Sequence, residues 1–197
     1  MDAKKTALLI IDMQNDVIKD LVTTAPTIIP AIKTALDFFR KQAAPVIFLK
    51  RVHRKSGVDV EVFREKLFKD HPFLVEGTEG AQVVAELKPL DNEYLVNKER
   101  FSGFFQSDLL MILMRLKIET VVICGVQTPN CIRGTAVDAL SYDYRVLLLE
   151  DAIAAQTDAI HQANLFDMKN MGAELKKVKE FVTQFHKGQV GLSTMSP

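Results

Sequence analysis

Short runs of apolar residues alternate along the chain with longer stretches in which apolar residues have helical spacing. Several runs, such as TALLII and TVVIC, are apolar at every position, which is typical of strands buried on both faces of a parallel sheet. Strands are predicted over residues 6–11, 45–50, 93–97, 120–125, 144–150 and 173–178. Helices are predicted over residues 26–42, 80–87, 107–116, 131–142 and 157–171.

This alternation predicts a doubly wound α/β sandwich, with helices packed on both faces of the sheet. No repeat and no linker rich in proline, glycine or serine divides the sequence, so we expect a single domain over residues 1–187. The segment GQVGLSTMSP, residues 188–197, is predicted to be a loose C-terminal tail. Residues 51–79 form the longest stretch without a clear strand, and such excursions often carry function.

Composition narrows the possible partners. The 25 basic residues equal the 25 acidic residues, and no basic block is present, so we expect neither nucleic acid nor a membrane as a partner. No apolar run approaches the roughly 20 residues of a membrane span, and the start MDAKKTALL lacks the pattern of a signal peptide. The two cysteines form no disulfide framework. We therefore expect a cytoplasmic protein that acts on a small molecule.

Three reactive side chains follow predicted strands. Asp12 follows the first strand, Lys98 follows the third, and Cys131 lies on the turn after the fourth. Because the carboxyl ends of parallel strands meet at one edge of a sheet, we expect the three side chains to lie together. Taken singly, each has a simpler interpretation: Cys131 as a buried apolar residue, Asp12 as a cap and Lys98 as a solvated charge.

Together, the three side chains have the chemistry of an activated nucleophile. A thiolate is the attacking species, and both Lys98 and the N-terminus of the following helix are expected to favour the thiolate form of Cys131. Asp12 is predicted to accept the thiol proton and return it to a leaving amine. Backbone N–H groups of the turn around Cys131 are candidates for holding an oxyanion.

Three blocks of the sequence resemble the isochorismatase-like cysteine hydrolases, which include nicotinamidases, N-carbamoylsarcosine amidases and ureidoacrylate amidases. ALLIIDMQNDV resembles the opening strand of the family, with the catalytic aspartate at Asp12. EGTEGAQVVAELKP and YLVNKERFSGFFQSDLLMIL resemble its central block, with the catalytic lysine at Lys98. GVQTPNCIRGTAVDALSYDYRVLLLEDAIA resembles its nucleophile block, with the cysteine at Cys131.

The resemblance implies a three-layer, Rossmann-like sandwich with a six-stranded parallel sheet, and a Cys–Asp–Lys triad that attacks a carbonyl carbon. It also implies an oxyanion hole formed by the backbone N–H groups of Gln127 and Cys131, with a cis peptide bond between Val126 and Gln127. A homo-oligomer, either a dimer or a tetramer, is implied as well.

Departures from the family pattern bear on metal binding and substrate. Nicotinamidases have a metal-binding Asp-x-His after the second strand, where this chain reads RVHR, with Arg51 in place of the aspartate and His53 left without it. We therefore predict that the protein binds no metal and needs no cofactor. Isochorismatases proper lack the cysteine, so Cys131 favours hydrolysis of an amide, ureide or lactam over hydrolysis of isochorismate.

Substrate-binding candidates come from the excursion and from the segment after Lys98. The cations are Arg51, His53, Arg54 and Arg64, which are suited to a substrate carboxylate or else form a solvated face. Phe101 and Phe104 are suited to an apolar wall or else to the core. The predicted function is a metal-independent cysteine hydrolase that cleaves a C–N bond through a thioester. The alternatives are an isochorismatase-type hydrolase, a redox-responsive thiol protein and a non-catalytic interaction protein.

Overall fold

A computed structural model describes residues 2–21 and 24–193. Its centre is a six-stranded sheet in which every neighbouring pair of strands is parallel. The strands are β1 (Thr6–Ile11), β2 (Val46–Arg51), β3 (Tyr94–Lys98), β4 (Thr120–Val126), β5 (Arg145–Ala154) and β6 (Glu174–Lys176), in the spatial order β3-β2-β1-β4-β5-β6. The predicted α/β sandwich with a six-stranded parallel sheet is confirmed.

Helices cover both faces of this sheet. They are α1 (Ile29–Lys41), α2 (Glu65–Asp70), α3 (Leu109–Arg115), α4 (Arg133–Ser141), α5 (Asp158–Asn170) and α6 (Val178–Ser193). The strands β1, β2 and β4 alternate their side chains between two separate hydrophobic clusters. Helices α1 and α6 pack on one cluster, and α3, α4 and α5 pack on the other, so the chain forms three layers.

The predicted strands match the observed ones closely, but three helical regions differ, of which α2 is one that was not predicted. Residues 80–87 are not a helix, because Val83 forms an antiparallel bridge with Gln14 and only Ala85–Leu87 turns helically, as a 3-10 turn. Helix α6 was not predicted, and the tail expected from residue 188 begins inside it. Residues 194–197 of that tail lie outside the described residues.

Helix α6 is held by aromatic packing against α1. Phe181 is buried and stacks on Phe39 with the ring centroids 5.7 Å apart, and Phe185 meets Phe38 edge-on at 5.2 Å. Such pairs add stability beyond the apolar area that they bury. In the described part of the chain, no helix is long and apolar enough to cross a bilayer.

One glycine allows β4 to approach β1 next to the site. Gly125 has a φ of +112°, and a Cβ atom at this position would lie 2.2 Å from the carbonyl oxygen of Ile11. This oxygen belongs to the residue directly before Asp12. Close approach of the two backbones therefore requires glycine at position 125.

A disfavoured φ alone costs about 1–3 kcal/mol. We expect Gly125→Ala to lower the free energy of unfolding by more than this amount. Gly172→Ala is the matched control, because Gly172 also has a φ of +112° but its Cβ would meet nothing closer than 3.9 Å. Urea denaturation of both variants measures the difference, which isolates the clash with Ile11. Equal losses in the two variants would contradict the steric explanation.

Candidate active site

The topology places Asp12, Lys98 and Cys131 at the carboxyl edge of the sheet. Asp12 directly follows β1, and Lys98 is the last residue of β3. Cys131 lies between β4 and α4, in one turn of π-helix at Thr128–Ile132. Asp12 has a φ of 53°, a left-handed conformation that aspartate tolerates better than most residues. Its backbone N–H still donates to the carbonyl of Leu49 at 2.9 Å, which keeps Asp12 against β2.

The three side chains are in contact and buried. Lys98 Nζ lies 2.9 Å from Asp12 Oδ2 and 3.4 Å from Cys131 Sγ, and it also donates to the carbonyl of Arg100 at 3.1 Å. Lys98 is fully buried, and Asp12 and Cys131 are 4% and 6% exposed. Lys98 thus joins the carboxylate to the thiol, and among the described residues Asp12 Oδ1 has no hydrogen-bond partner.

The resting state of the thiol differs from the expectation of a stabilised thiolate. Burial raises the pKa of the Cys131 thiol to about 11, and the negative charge of Asp12 adds to the rise. The positive charges of Lys98 and Arg51 lower this pKa, but their effect is smaller. At neutral pH, Cys131 is therefore a thiol with a carboxylate beside it, because desolvation outweighs the attraction of the two cations.

We expect iodoacetamide to alkylate Cys131 slowly at pH 7 and about tenfold faster for each further pH unit, because only the thiolate reacts and the pKa of the thiol is raised. Intact-protein mass measured between pH 6 and 9.5 gives the rate. Cys131→Ser is the control, since it leaves only Cys124, which is fully buried and whose thiol pKa burial raises further. A rate that reaches a plateau below pH 8 would contradict the protonated resting state.

A small cavity opens onto the thiol. Its volume is about 40 Å³, room for a few water-sized groups. The lining residues are Asp12, Val17, Arg51, Arg64, Leu74, Phe101, Val126, Gln127, Asn130 and Cys131. Three residues of the 51–79 excursion, Arg51, Arg64 and Leu74, thus share the cavity lining with the nucleophile turn.

The turn that carries Cys131 begins with a cis peptide bond between Val126 and Gln127. The carbonyl of Gln127 accepts hydrogen bonds from the backbone N–H groups of Asn130 at 3.1 Å and Ile132 at 3.2 Å. The turn therefore folds tightly over Gln127, and both Gln127 and Cys131 face the cavity.

Three of the six predicted substrate-binding residues line this cavity, namely Arg51, Arg64 and Phe101. Arg51 is 3% exposed, and its Nη1 donates to Glu61 Oε1 at 2.7 Å. The Phe101 ring lies against both guanidinium groups, with centroid distances of 5.2 Å to Arg51 and 5.6 Å to Arg64.

The other three predicted residues lie away from it. Arg54 is exposed and pairs with Asp59 at 3.0 Å. His53 is fully buried with its ring against two phenylalanines, and Phe104 belongs to the core cluster on the α3 side of the sheet. The excursion therefore delivers only part of its predicted cation cluster to the site, because His53 is packed between phenylalanines and Arg54 is exposed.

The structure also identifies supporting residues that the sequence analysis did not single out. The buried Gln14 side chain accepts from the backbone N–H of Arg51 at 2.9 Å and donates to the carbonyls of Arg51 and Ala81 at 2.8 and 2.9 Å. It fixes β2 and the 80–84 loop beside Asp12. The only signal in the sequence is its place in MQND, directly after the first strand.

The nucleophile turn has a second support from α5. Thr128 Oγ1 lies 2.8 Å from His161 Nδ1, and Arg133 Nη1 donates to Asn164 Oδ1 and Asp167 Oδ2, both at 2.9 Å. These contacts join residues about 30 positions apart, and no local pattern predicts them. They hold the segment before and after Cys131 against one helix.

The surroundings of His53 bear on metal binding, because Asp59 Oδ1 lies 3.7 Å from its Nδ1. Arg51 contributes a positive charge, and the His53 ring meets Phe68 and Phe73 edge-on at centroid distances of 5.9 and 5.7 Å. Burial lowers the pKa of His53, followed by the charge of Arg51. Within residues 2–21 and 24–193, no three histidine, cysteine, aspartate or glutamate side chains are placed to hold an ion together.

The two cysteines lie on opposite sides of the sheet. Both are free and buried, Cys124 in the cluster beneath α1 and α6 and Cys131 in the cluster beneath α3, α4 and α5. A disulfide needs Cβ atoms about 3.5–4.5 Å apart, so this pair cannot close without rearranging β4. The geometry thus gives no support to a redox pair.

The six-stranded parallel sheet flanked by helices is the isochorismatase fold, which solved structures similar to this chain share. The chain belongs to the isochorismatase family of hydrolases, since the family model described as Isochorismatase domain matches residues 6–180. The resemblance seen in the sequence is therefore confirmed.

Individual relatives cover nearly the whole chain. A probable inactive nicotinamidase of Arabidopsis thaliana is 39% identical over 186 residues, which cover 90% of this chain and 95% of the relative. The crystal structure of an isochorismatase family protein from Desulfovibrio vulgaris matches with a TM-score of 0.89 and 37% identity, covering 92% of this chain and 98% of the other. A pyrazinamidase of Pyrococcus horikoshii, solved in complex with zinc, matches with a TM-score of 0.78 and 29% identity, covering 88% and 99%.

Proposed function

We propose that this protein is a metal-independent cysteine amidohydrolase, which cleaves the C–N bond of a small amide, ureide or lactam through a thioester on Cys131. The observation that carries the proposal is the contact of Lys98 Nζ with both Asp12 Oδ2 and Cys131 Sγ. This arrangement places an acceptor for the thiol proton and a cation for the developing charge within one buried cluster.

In the first half of the proposed reaction, the Cys131 proton moves to Asp12 Oδ1 as Sγ attacks the carbonyl carbon. The negative charge that develops on Sγ as the proton leaves is stabilised by Lys98, and the charge on the carbonyl oxygen is held by the backbone N–H groups of Gln127 and Cys131. The tetrahedral intermediate collapses, the C–N bond breaks, and the amine takes the proton from Asp12. A thioester on Cys131 remains.

In the second half, water attacks the thioester and gives a proton to Asp12, and the C–S bond breaks to release the carboxylic acid. Asp12 then returns the proton to the Cys131 sulfur, so each turnover consumes one water and restores the thiol. A raised thiol pKa suits this sequence, because the proton stays between two groups of the enzyme and is not lost to solvent.

Arg51 supports the metal-independent part of the proposal. Its buried guanidinium supplies a permanent positive charge at the cavity, and Asp59, the carboxylate 3.7 Å from His53, already pairs with Arg54. The relative solved with zinc shows that the fold accommodates a metal elsewhere in the family. The homo-oligomer, the cytoplasmic location and the single-domain division remain predictions.

The test is release of ammonia or amine from a panel of small primary amides, ureides and lactams, including nicotinamide and pyrazinamide, with isochorismate as the alternative substrate. A chelator added to the assay tests the metal independence, and the rates of hydrolysis are expected to stay unchanged. Turnover of isochorismate without any C–N cleavage would overturn the proposal. Absence of all turnover would favour the non-catalytic alternative, consistent with one relative being described as probably inactive.

A further inference from the structure

The guanidinium of Arg51 has one edge without a partner. Its Nη1 is taken by Glu61, whereas Nε and Nη2 are buried and have no hydrogen-bond partner in the described residues. A buried charged N–H without a partner lowers stability, so proteins rarely keep one that nothing uses. Because Arg51 lines the cavity, a bound molecule is able to reach this edge.

The free edge has the geometry of a carboxylate receptor. Nε and Nη2 point their N–H groups in the same direction, and a carboxylate binds such a pair through two parallel hydrogen bonds. This protein contains an example at Arg40, whose Nε and Nη2 bind the two oxygens of Glu93 at 2.7 and 2.8 Å. At Arg51 the same two donors are present, but the carboxylate is missing.

The charge balance around the cavity also favours an anion. Lys98, Arg51 and Arg64 contribute three positive charges, and Asp12 and Glu61 contribute two negative charges. The thiol of Cys131 is neutral at pH 7. One positive charge is therefore left over, which a substrate with a single carboxylate would neutralise.

We propose that Arg51 binds a carboxylate of the substrate through Nε and Nη2, and that the substrate is a short amide that carries this carboxylate a few bonds from the scissile carbonyl. Arg64 supports the anion from the rim of the cavity, where its side chain is 24% exposed. The chain between the two groups is short, because Arg51 and Cys131 line the same cavity of about 40 Å³. This inference rests on the proposed amidohydrolase function.

The experiment compares monoamides of short dicarboxylic acids with the corresponding diamides. Malonamate is compared with malonamide, succinamate with succinamide, and glutaramate with glutaramide. Each diamide has nearly the same shape as its monoamide but lacks the charge. In the wild type, kcat/KM for the preferred monoamide is expected to exceed that for its diamide by at least about 30-fold, the usual effect of losing one partner of a buried charge pair.

Removing Arg51 is expected to abolish this preference. Arg51→Met alone leaves Glu61 as a buried charge without its partner, which lowers stability. A second variant therefore combines Arg51→Met with Glu61→Gln, so that both charges are removed together. Both variants should raise KM for the monoamide far more than KM for the diamide, so that the ratio of kcat/KM between the two substrates falls towards one. Arg54→Met is the matched control, because Arg54 is exposed and outside the cavity, and it should keep the wild-type ratio. Equal loss of kcat on both substrates would overturn carboxylate binding and instead indicate oxyanion contact.

Binding without chemistry separates this inference from the proposed function. Calorimetric titration of the Cys131→Ala variant with malonate, succinate and glutarate should detect binding that the additional Arg51→Met and Glu61→Gln changes remove. Such binding in a protein that hydrolyses no amide would support the carboxylate site and overturn the amidohydrolase proposal. Hydrolysis of diamides and monoamides at equal rates would support the amidohydrolase proposal and overturn the carboxylate site.

Discussion

Replacing Cys131 with alanine is expected to lower kcat/KM for the best amide by at least about 10⁴-fold, because the thioester route is lost with the sulfur. The fold should be unaffected, since the side chain shrinks by one atom beside the cavity. Ammonia release measures the rate, and intact-protein mass after rapid quenching should show an acyl adduct in the wild type and none in the variant.

Cys124→Ala provides the matched control for this prediction. Cys124 is also a buried free cysteine, but its side chain lies on the other face of the sheet, in the cluster beneath α1 and α6. The variant should keep its activity and the acyl adduct. Retention of more than a few per cent of turnover in Cys131→Ala would show that the sulfur is not the nucleophile.

Replacing Lys98 with methionine is expected to lower the free energy of unfolding by about 3–5 kcal/mol, the usual cost of breaking a buried ion pair by removing one partner. Lys98 is fully buried and 2.9 Å from Asp12, which would be left as a buried carboxylate without a cation. Turnover should be lost as well. Urea denaturation and the amide assay measure the two effects.

The double variant Asp12→Asn with Lys98→Met tests the cause of this destabilisation. With both charges removed, most of the lost free energy of unfolding should return, whereas the activity should not. Lys33→Met is the exposed control, because the Lys33–Asp37 pair is equally close at 2.6 Å but solvated, and its loss should cost only about 0.3–0.5 kcal/mol. A Lys98→Met variant as stable as the wild type would contradict a charged Asp12.

The sequence determined the strands well, because a run that is apolar at every position has few alternatives to a strand buried on both faces. It was less informative where a segment is stabilised by distant contacts. Residues 80–84 read as helical, yet Val83 is drawn into a bridge with Gln14. Helix α6 is stabilised by Phe38 and Phe39 of α1, about 140 positions earlier in the chain.

The sequence predicted only part of the site, because it shows where strands end but not which distant groups surround a side chain. The position of Asp12, Lys98 and Cys131 after their strands was enough to predict that they meet, because strand ends share an edge in a parallel sheet. Neither the protonation of Cys131 nor the placement of Arg51 in the cavity lining and of His53 outside it follows from spacing. Both depend on how far each group is removed from water and which charges lie beside it.

The sequence by itself thus determined the layered fold and the positions of the strands, since these follow from local periodicity. It also identified the three reactive side chains, since each follows the end of a strand. Only the tertiary structure decided that burial outweighs two cations at the Cys131 thiol, and that Arg51, which lines the cavity, keeps two guanidinium nitrogens without a hydrogen-bond partner in the described residues. Desolvation and hydrogen-bond pairing are properties of the folded surroundings, to which residues far apart in the chain contribute together.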